Sequence, residues 1–329
     1  MFFSWRGGVK VPKAKTSLNE LLFDIRRIEN HRELLTEDKI RKIYKSLVKD
    51  LNAFLAEYYV KYADKTDGTL TIAKLQGKMK FAKFLEEIEN NVNFFTPKVR
   101  KEIEDLVDKT YKACYEGMNK AVSEADDVKE LVGASNLNVR PEVMKQAVGN
   151  NISKLTLKPL LEKNRQEIIY DIKQVLTVGL MTGQRYDTMA NKILEKVDFS
   201  YGKAIRVTRT ESHRNIEAGF NDCAQEIAKG LEGSDVVYTK TWITMKDERV
   251  RPQQRYKTKK GWKTVIRGKA NHMKMEGTTV EATDNFKLEP GVYAPCPGSS
   301  GTARNDCNCR CTLEHKFMKR EEFEEIKQK

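Results

Sequence analysis

The sequence has no long hydrophobic run: its longest apolar stretch, Val175 to Met181, is far shorter than the ~20 residues needed to cross a bilayer. The opening Met1-Phe2-Phe3-Ser4-Trp5-Arg6 is likewise too short to be a secretory segment. Both absences predict a soluble, unexported chain without a membrane partner. Cysteine is scarce, with six in 329 residues, and four of them fall between Cys296 and Cys311. In a reducing compartment such clustering argues against a disulfide-stapled scaffold and leaves metal binding or idle thiols. A phosphate-binding loop, a nucleophile elbow and a paired metal motif are all missing, so no enzyme class is indicated. Internal repeats and low-complexity tracts are also absent.

What is present is helical pattern and charge. At 329 residues the chain has room for two domains, since one domain holds about 100–200 residues. Charged residues make up 33% and hydrophobic residues 39%, and the net charge of +13 leaves a cationic excess that suits a polyanionic partner. A merely well-solvated basic surface is the alternative.

Ile40, Tyr44, Leu47, Leu51, Phe54 and Tyr58 recur in steps of four and three, which predicts one amphipathic helix. Ile72, Leu75, Met79, Ala82, Leu85 and Ile88 predict a second. Val99, Ile103, Leu106, Thr110, Cys114, Gly117 and Ala121 predict a third. Asp67-Gly68 separates the first two, and Thr96-Pro97 reads as an N-cap with proline in the first turn of the third. Short connections predict antiparallel neighbours. Gly, Ser, Asn and Pro concentrate around Gly133 to Pro141, where a boundary or hinge is expected, with another loop at Gly149-Asn150-Asn151. Leu161, Ile168, Ile172, Val175 and Leu176 mark a further helix, and Arg185 to Val197 a short one. From Tyr201 a helix carries Ile205, Thr208, Ser212, Ile216, Phe220, Cys223, Ile227 and Leu231 on its buried face. Val237 to Ile243 then alternates with period two, and later segments are short and turn-rich.

The expected fold is a mostly α N-terminal helical bundle followed by a small α+β C-terminal module. Its divisions are a helical domain at 1–135, a helical connector at 136–200, the α+β module at 201–318 and a charged helical tail at 319–329.

Three constellations stand out. On the helix after Tyr201, Arg206, Arg209, Glu211 and His213 form a polar network, which Trp242 and Asp247 in the following strand and turn extend. Its expected role is structural, tying the helix to the sheet, and no catalytic residue is assigned. Between Arg249 and Lys269 there is no acidic residue, whereas Arg249, Arg251, Arg255, Lys257, Lys259, Lys260, Lys263, Arg267 and Lys269 all occur, with Tyr256 and Trp262 interleaved. Tyr256 to Lys263 reads as a hairpin with an exposed basic tip, suited to phosphate contact without base readout. Finally His272, Cys296, Cys307, Cys309 and Cys311, with His315 nearby, offer soft and imidazole ligands for zinc. Reduced buried thiols are the competing reading, because Cys-x-Cys-x-Cys is not the usual Cys-x-x-Cys spacing.

The succession Arg206-Val207-Thr208-Arg209-Thr210-Glu211, Trp242 to Thr244, Asp247-Glu248-Arg249-Val250-Arg251, His272 with Gly277-Thr278-Thr279-Val280, Phe286, Pro295 and Asn308-Cys309-Arg310-Cys311 resembles the phage Mu F-like minor head protein family. The resemblance covers about the last third of the chain, so residues 201–318 would be the Mu F-like head-morphogenesis module. It implies a minor capsid or head-morphogenesis protein inside the virion head near the portal, made in the bacterial host cytoplasm during assembly. Such a protein would assist head assembly and the packaging or delivery of double-stranded DNA. Its implied partners are the portal protein and the major capsid or scaffolding protein. The stretch Pro252 to Lys269 separates Arg251 from His272 and looks like an inserted hairpin. Two rivals stand beside this reading. One is an enzyme, either a metal-dependent nuclease on His213, Asp247 and His272 or a toxin-like transferase using Arg209 and Glu211. The other is a portal adaptor that never touches DNA.

Overall fold

The computed structural model describes residues 15–75, 78–132, 137, 139, 142–143, 153–247, 250–266 and 269–328. The expected hinge at Gly133 to Pro141 and the Gly149-Asn150-Asn151 loop lie almost wholly outside them. Four long helices dominate: α1 (Leu18–Tyr62), α2 (Lys78–Glu124), α4 (Ser153–Met181) and α5 (Tyr186–Lys229), with the short α3 (Asp126–Val132) after α2. Ser17 starts α1 with a capping box, its hydroxyl accepting from the Glu20 N–H while the Glu20 carboxylate accepts from the Ser17 N–H. Past Tyr62 the chain turns where Asp67 accepts from the Thr69 N–H at 2.8 Å and Gly68 takes a positive φ of 70°. The predicted break at Asp67-Gly68 is therefore where the turn lies.

Thr96-Pro97 does not start a helix: Pro97 sits inside α2. A helix-interior proline costs ~3 kcal/mol. That cost is met by a buried stripe, Phe84, Ile88, Val92, Phe95, Val99, Ile103 and Leu106, that keeps steps of three and four straight through the proline. Of the expected stripe at 72–88, Leu75 and Ile88 are buried in the same core with Ile72 and Leu85 packed against it, whereas Met79 is 88% exposed and Phe84 takes the buried position instead. Likewise the helices expected at 185–197 and from 201 onward are one element, α5, and position 200/201 falls within it.

The ends of these helices sort into core clusters that fix their directions. Leu47, Leu51 and Leu55 of α1 meet Phe84 and Ile88 of α2, Ile172 and Leu176 of α4, and Met189 and Ile193 of α5. The last turns of α1 and α4 thus meet the first turns of α2 and α5, as antiparallel packing requires. At the other end Leu18 and Leu22 of α1, Tyr115 and Met118 of α2, and Phe220 and Ala224 of α5 continue into Tyr238 and Phe317 of the sheet. α5 approaches α2 closely there. A Cβ on Gly219 would lie 2.7 Å from the Tyr111 carbonyl oxygen.

The module beyond α5 is built on a three-stranded antiparallel sheet in the order β4-β1-β7, with β1 (Val236–Ile243) between β4 (Thr279–Glu281) and β7 (Thr312–Lys319). Two separate hairpins leave it, β2–β3 (Gln253–Thr258, Gly261–Ile266) and β5–β6 (Phe286–Glu289, Val292–Ala294). A 3₁₀ turn (His272–Met275), the one-turn α6 (Ala303–Asp306) and the terminal α7 (Arg320–Lys327) complete it. This is the expected class, a helical N-terminal region followed by a small strand-containing module. The charged tail forms α7, pinned by the buried Phe323. No helix among the described residues is long and apolar enough to cross a membrane.

Candidate functional site

α5 carries the polar network, and its helical geometry decides where each side chain goes. Arg209 reaches across to α1, its Nε and Nη2 donating to the buried Glu37 carboxylate at 2.5 and 2.8 Å. Glu211 lies two residues on, about 200° around the helix, and accepts from Arg214 at 2.8 and 2.9 Å. The two therefore do not converge. Arg214 also donates to the Gly298 carbonyl at 2.6 Å, tying the 298–306 loop to the helix. Arg206 is exposed on the wall of a cleft of about 1070 Å³ whose other walls include Tyr111, Leu160, Glu211 and Ala303. The cleft is electrically mixed, since Lys203 on its edge is already paired with Glu167. Asp247 is exposed at the turn after β1 and paired with Arg310.

Sequence reading missed the α1 contribution. Arg26 chelates the fully buried Glu217 of α5 at 3.0 and 3.2 Å and donates to the Leu313 carbonyl at 2.9 Å, while Glu217 also accepts from the Leu313 N–H at 3.1 Å. Glu217 is thus fully occupied by Arg26 and the Leu313 N–H. No spacing rule links Arg26 to Glu217, because the pair forms only when the bundle closes.

β2 and β3 pair from Gln253↔Ile266 to Thr258↔Gly261, with Lys259 and Lys260 at the turn. Thr258 caps that turn, accepting from the Lys260 N–H at 3.2 Å, and Gly261 follows with a φ of 112°. Lys257, Lys259, Lys260 and Lys263 are exposed, Lys269 is exposed at the root, and Trp262 is 59% exposed. The expected hairpin with its basic tip is present. Arg251 differs from the rest of the basic set: it is 2% exposed, and its guanidinium donates to the Arg304 and Cys307 carbonyls, so it serves as a buried clamp. Arg249 and Arg267 lie outside the described residues, as does the Arg255 side chain. The Met273 N–H donates to the Arg251 carbonyl at 3.3 Å. The chain therefore leaves at Arg251 and returns beside it, so the excursion does not displace His272.

Three of the expected metal-ligating residues come together. The ligand atoms of His272, Cys309 and Cys311 all lie within 4.8 Å of one another, and all three residues are buried. His272 Nδ1 is 3.6 Å from Cys309 Sγ and 3.4 Å from Cys311 Sγ. Cys296 is buried elsewhere in the same core, 3.2 Å from Ser299 Oγ, and Cys307 is half-exposed and outside the group. His315 is also remote, buried against Tyr238 with neither ring nitrogen hydrogen-bonded. Cys307 to Cys311 precede β7 and form a loop, so alternation along a strand does not govern them. Asn308 adopts a φ of 53° there and its N–H donates to Thr210 Oγ1 at 3.2 Å, which turns the loop onto α5. Cys309 is held well below the ordinary thiol range by hydrogen bonding from Cys311, with burial opposing and His213 and His272 assisting. Cys311 is raised in turn by that same bond. A cysteine this enclosed cannot meet a substrate, since reactive cysteines are partly exposed.

Residues 170–314 match the family described as Phage Mu protein F like protein. The chain is 29% identical over 280 residues to the minor head protein GP7 of Bacillus phage SPP1, an alignment covering 84% of this chain and 80% of that protein. It is 21% identical over 301 residues to the NAD(+)--arginine ADP-ribosyltransferase EFV of Enterococcus faecalis (strain ATCC 700802 / V583), covering 90% of this chain but only 54% of that protein. No solved structure matches the chain. The resemblance read from the motif succession is thereby upheld: residues 170–314 match the Phage Mu protein F like family, and most of the chain is similar to a phage minor head protein.

Proposed function

We propose that this protein is a minor head protein that assists phage head assembly and DNA packaging or delivery from inside the head near the portal. It acts without catalysis and contacts double-stranded DNA non-specifically through the β2–β3 hairpin. The observation that carries the DNA contact is the hairpin itself, which presents Lys257, Lys259, Lys260 and Lys263 to solvent beside the exposed Trp262. Closely spaced cations on an exposed ribbon favour phosphates. The helical bundle supplies the docking surface for the portal protein or for the major capsid or scaffolding protein. The similarity to the SPP1 minor head protein over four-fifths of both chains supports the head role.

The transferase reading has less support. The similarity reaches 54% of that relative, and Arg209 and Glu211 are each committed to a different ion pair. The nuclease reading needs Asp247 beside His213 and His272, yet Asp247 is exposed and held by Arg310.

Filter binding of the full chain to duplex DNA across salt concentrations tests the proposal. Each phosphate contact contributes about 0.9 to the slope of log affinity against log salt. Replacing Lys257, Lys259, Lys260 and Lys263 with Gln should therefore flatten the slope by about 3 to 4. An unchanged slope would remove the hairpin from the interface and favour a portal adaptor without DNA contact.

A further inference from the structure

The His272–Cys309–Cys311 cluster has features that a set of idle thiols does not require. His272 Nε2 is 3.1 Å from Asn305 Oδ1. Asn305 is itself oriented, because its Nδ2 donates to Glu289 Oε1 at 2.8 Å and to Thr302 Oγ1 at 3.0 Å. Asn305 must then present its oxygen to the ring, and His272 must carry its proton on Nε2. The Nδ1 lone pair is left directed at the two sulfurs. A histidine whose outer nitrogen is fixed by an amide or carboxylate while its inner nitrogen faces thiols has the arrangement that metal sites use to orient an imidazole ligand.

A second imidazole approaches the cluster from α5, outside the three residues whose ligand atoms lie within 4.8 Å of one another. His213, half-buried on α5, has Nε2 2.9 Å from the Cys311 carbonyl, and its side chain hydrogen-bonds the Cys309 thiol. A carbonyl can only accept, so Nε2 bears the proton and Nδ1 is the ring atom free to ligate. Both imidazoles thus meet at Cys309, each held by a backbone or amide oxygen behind it. The buried indole Nε1 of Trp242 finds no acceptor at full hydrogen-bond geometry, and the Trp242 side chain acts on the Cys311 thiol. A thiolate would supply the acceptor it lacks.

We propose that His213, His272, Cys309 and Cys311 form a structural Cys₂His₂ zinc site that clips the C-terminal half of α5 to the module behind it. Two sulfur and two nitrogen ligands are a usual tetrahedral set for zinc, and burial leaves no open position for a substrate. The four ligands come from three segments, the long helix, the 3₁₀ turn after the basic hairpin and the loop before β7. One ion would therefore crosslink elements that otherwise meet over a small core. Cys296, Cys307 and His315 are excluded from the set. This inference is independent of the DNA proposal.

The full-length protein, purified reduced and without chelator, should contain zinc in stoichiometric amount. Exchange for cobalt(II) should give intense ligand-field bands of a tetrahedral site and a thiolate-to-cobalt charge-transfer band whose intensity corresponds to two thiolates. Cys309→Ser and Cys311→Ser should lose the ion, whereas Cys296→Ser and Cys307→Ser should retain it with an unchanged spectrum. His213→Ala should shift the cobalt bands, and Asn305→Ala, which removes the Nε2 partner of His272, should weaken zinc about 10- to 100-fold in competition with a chelator. Absence of zinc together with a cobalt spectrum lacking charge transfer would overturn the site, even if no variant folds. Retention of zinc by Cys309→Ser or Cys311→Ser, or its loss from Cys296→Ser, would overturn the ligand set. An unaltered cobalt spectrum in His213→Ala would remove the fourth ligand.

Discussion

The Arg26 guanidinium of α1 closes on the Glu217 carboxylate of α5 at 3.0 and 3.2 Å, with Glu217 fully buried. Arg26 also covers the Phe220 ring at 4.7 Å and bonds the Leu313 carbonyl, so one side chain joins the first helix, the long helix and β7. Removing one partner of a buried pair leaves the other charge without compensation, at a cost of about 3–5 kcal/mol. Arg26→Ala should therefore lower stability by about that amount in urea unfolding. The doubly substituted Arg26→Met, Glu217→Met should be far less damaged than the sum of the single changes, and strict additivity in that cycle would show that the two do not act as a pair.

Gly219 is where α5 lies against the α2 backbone. An alanine Cβ there would sit 2.7 Å from the Tyr111 carbonyl oxygen and 2.9 Å from Cys114 Cβ. Neither is a flexible side-chain end, so the helices must separate. Gly219→Ala should destabilise by about 1–3 kcal/mol despite the better helix propensity of alanine, whereas Gly202→Ala, with nothing near its added Cβ, should be neutral or stabilising. Equal thermal shifts for the two variants would contradict the close approach.

Lys240 is buried on the central strand, with Nζ bonded to Asn221 Oδ1 at 2.7 Å and the Pro295 carbonyl at 2.8 Å. Burial lowers its pKa from 10.5 to about 8. Between those values the unfolded chain binds more protons than the folded one, so this lysine makes stability rise with pH across that window, by as much as about 3 kcal/mol. Below pH 8 the fold carries a buried ammonium and the gain is absent. Wild type should therefore gain on Lys240→Met as pH rises from 8 to 10, and a constant difference between their chemical denaturation curves would refute the shift.

His315, opposite Lys240 across β1 and β7, acts in the same sense at the acid end. Burial, with Arg26 and Lys240 nearby, depresses its pKa well below 6.5. The folded state holds it neutral, so stability is present above pH 6.5 and falls as acid protonates the unfolded chain. His315→Phe should flatten that acid limb and cost little at pH 7.5, because neither ring nitrogen has a partner to lose. A limb as steep as wild type would place the titration elsewhere.

The strand, the basic hairpin and the buried face of α5 were legible because each is written in local periodicity. Continuity was harder to see. Pro97 reads locally as a start signal, and only the uninterrupted phase from Phe84 to Leu106 shows that the helix passes through it. The C-terminal cysteines were visible as a group, but selecting Cys309 and Cys311 over Cys296 and Cys307 depends on the Asn308 turn and the Thr210 contact, which are tertiary facts. His213 could be found on the helix but not assigned to the sulfurs, since nothing in its neighbourhood along the chain points to residues 309–311. Arg251 looked like the surface lysines around it, and only the fold turns it inward.

The uninterrupted course of α5 has a mechanical consequence. A helix of 44 residues is about 66 Å long, and this one contains no proline. Its first turns belong to the far tip of the bundle and its last to the sheet, so it acts as a lever arm between them. A change of about 10° in how the tip seats on a partner would sweep the opposite end through roughly 11 Å by that length. That is about three of the ~3.4 Å axial steps between phosphates of one DNA strand, so in the proposed DNA contact the docking angle would decide which phosphates the lysines meet.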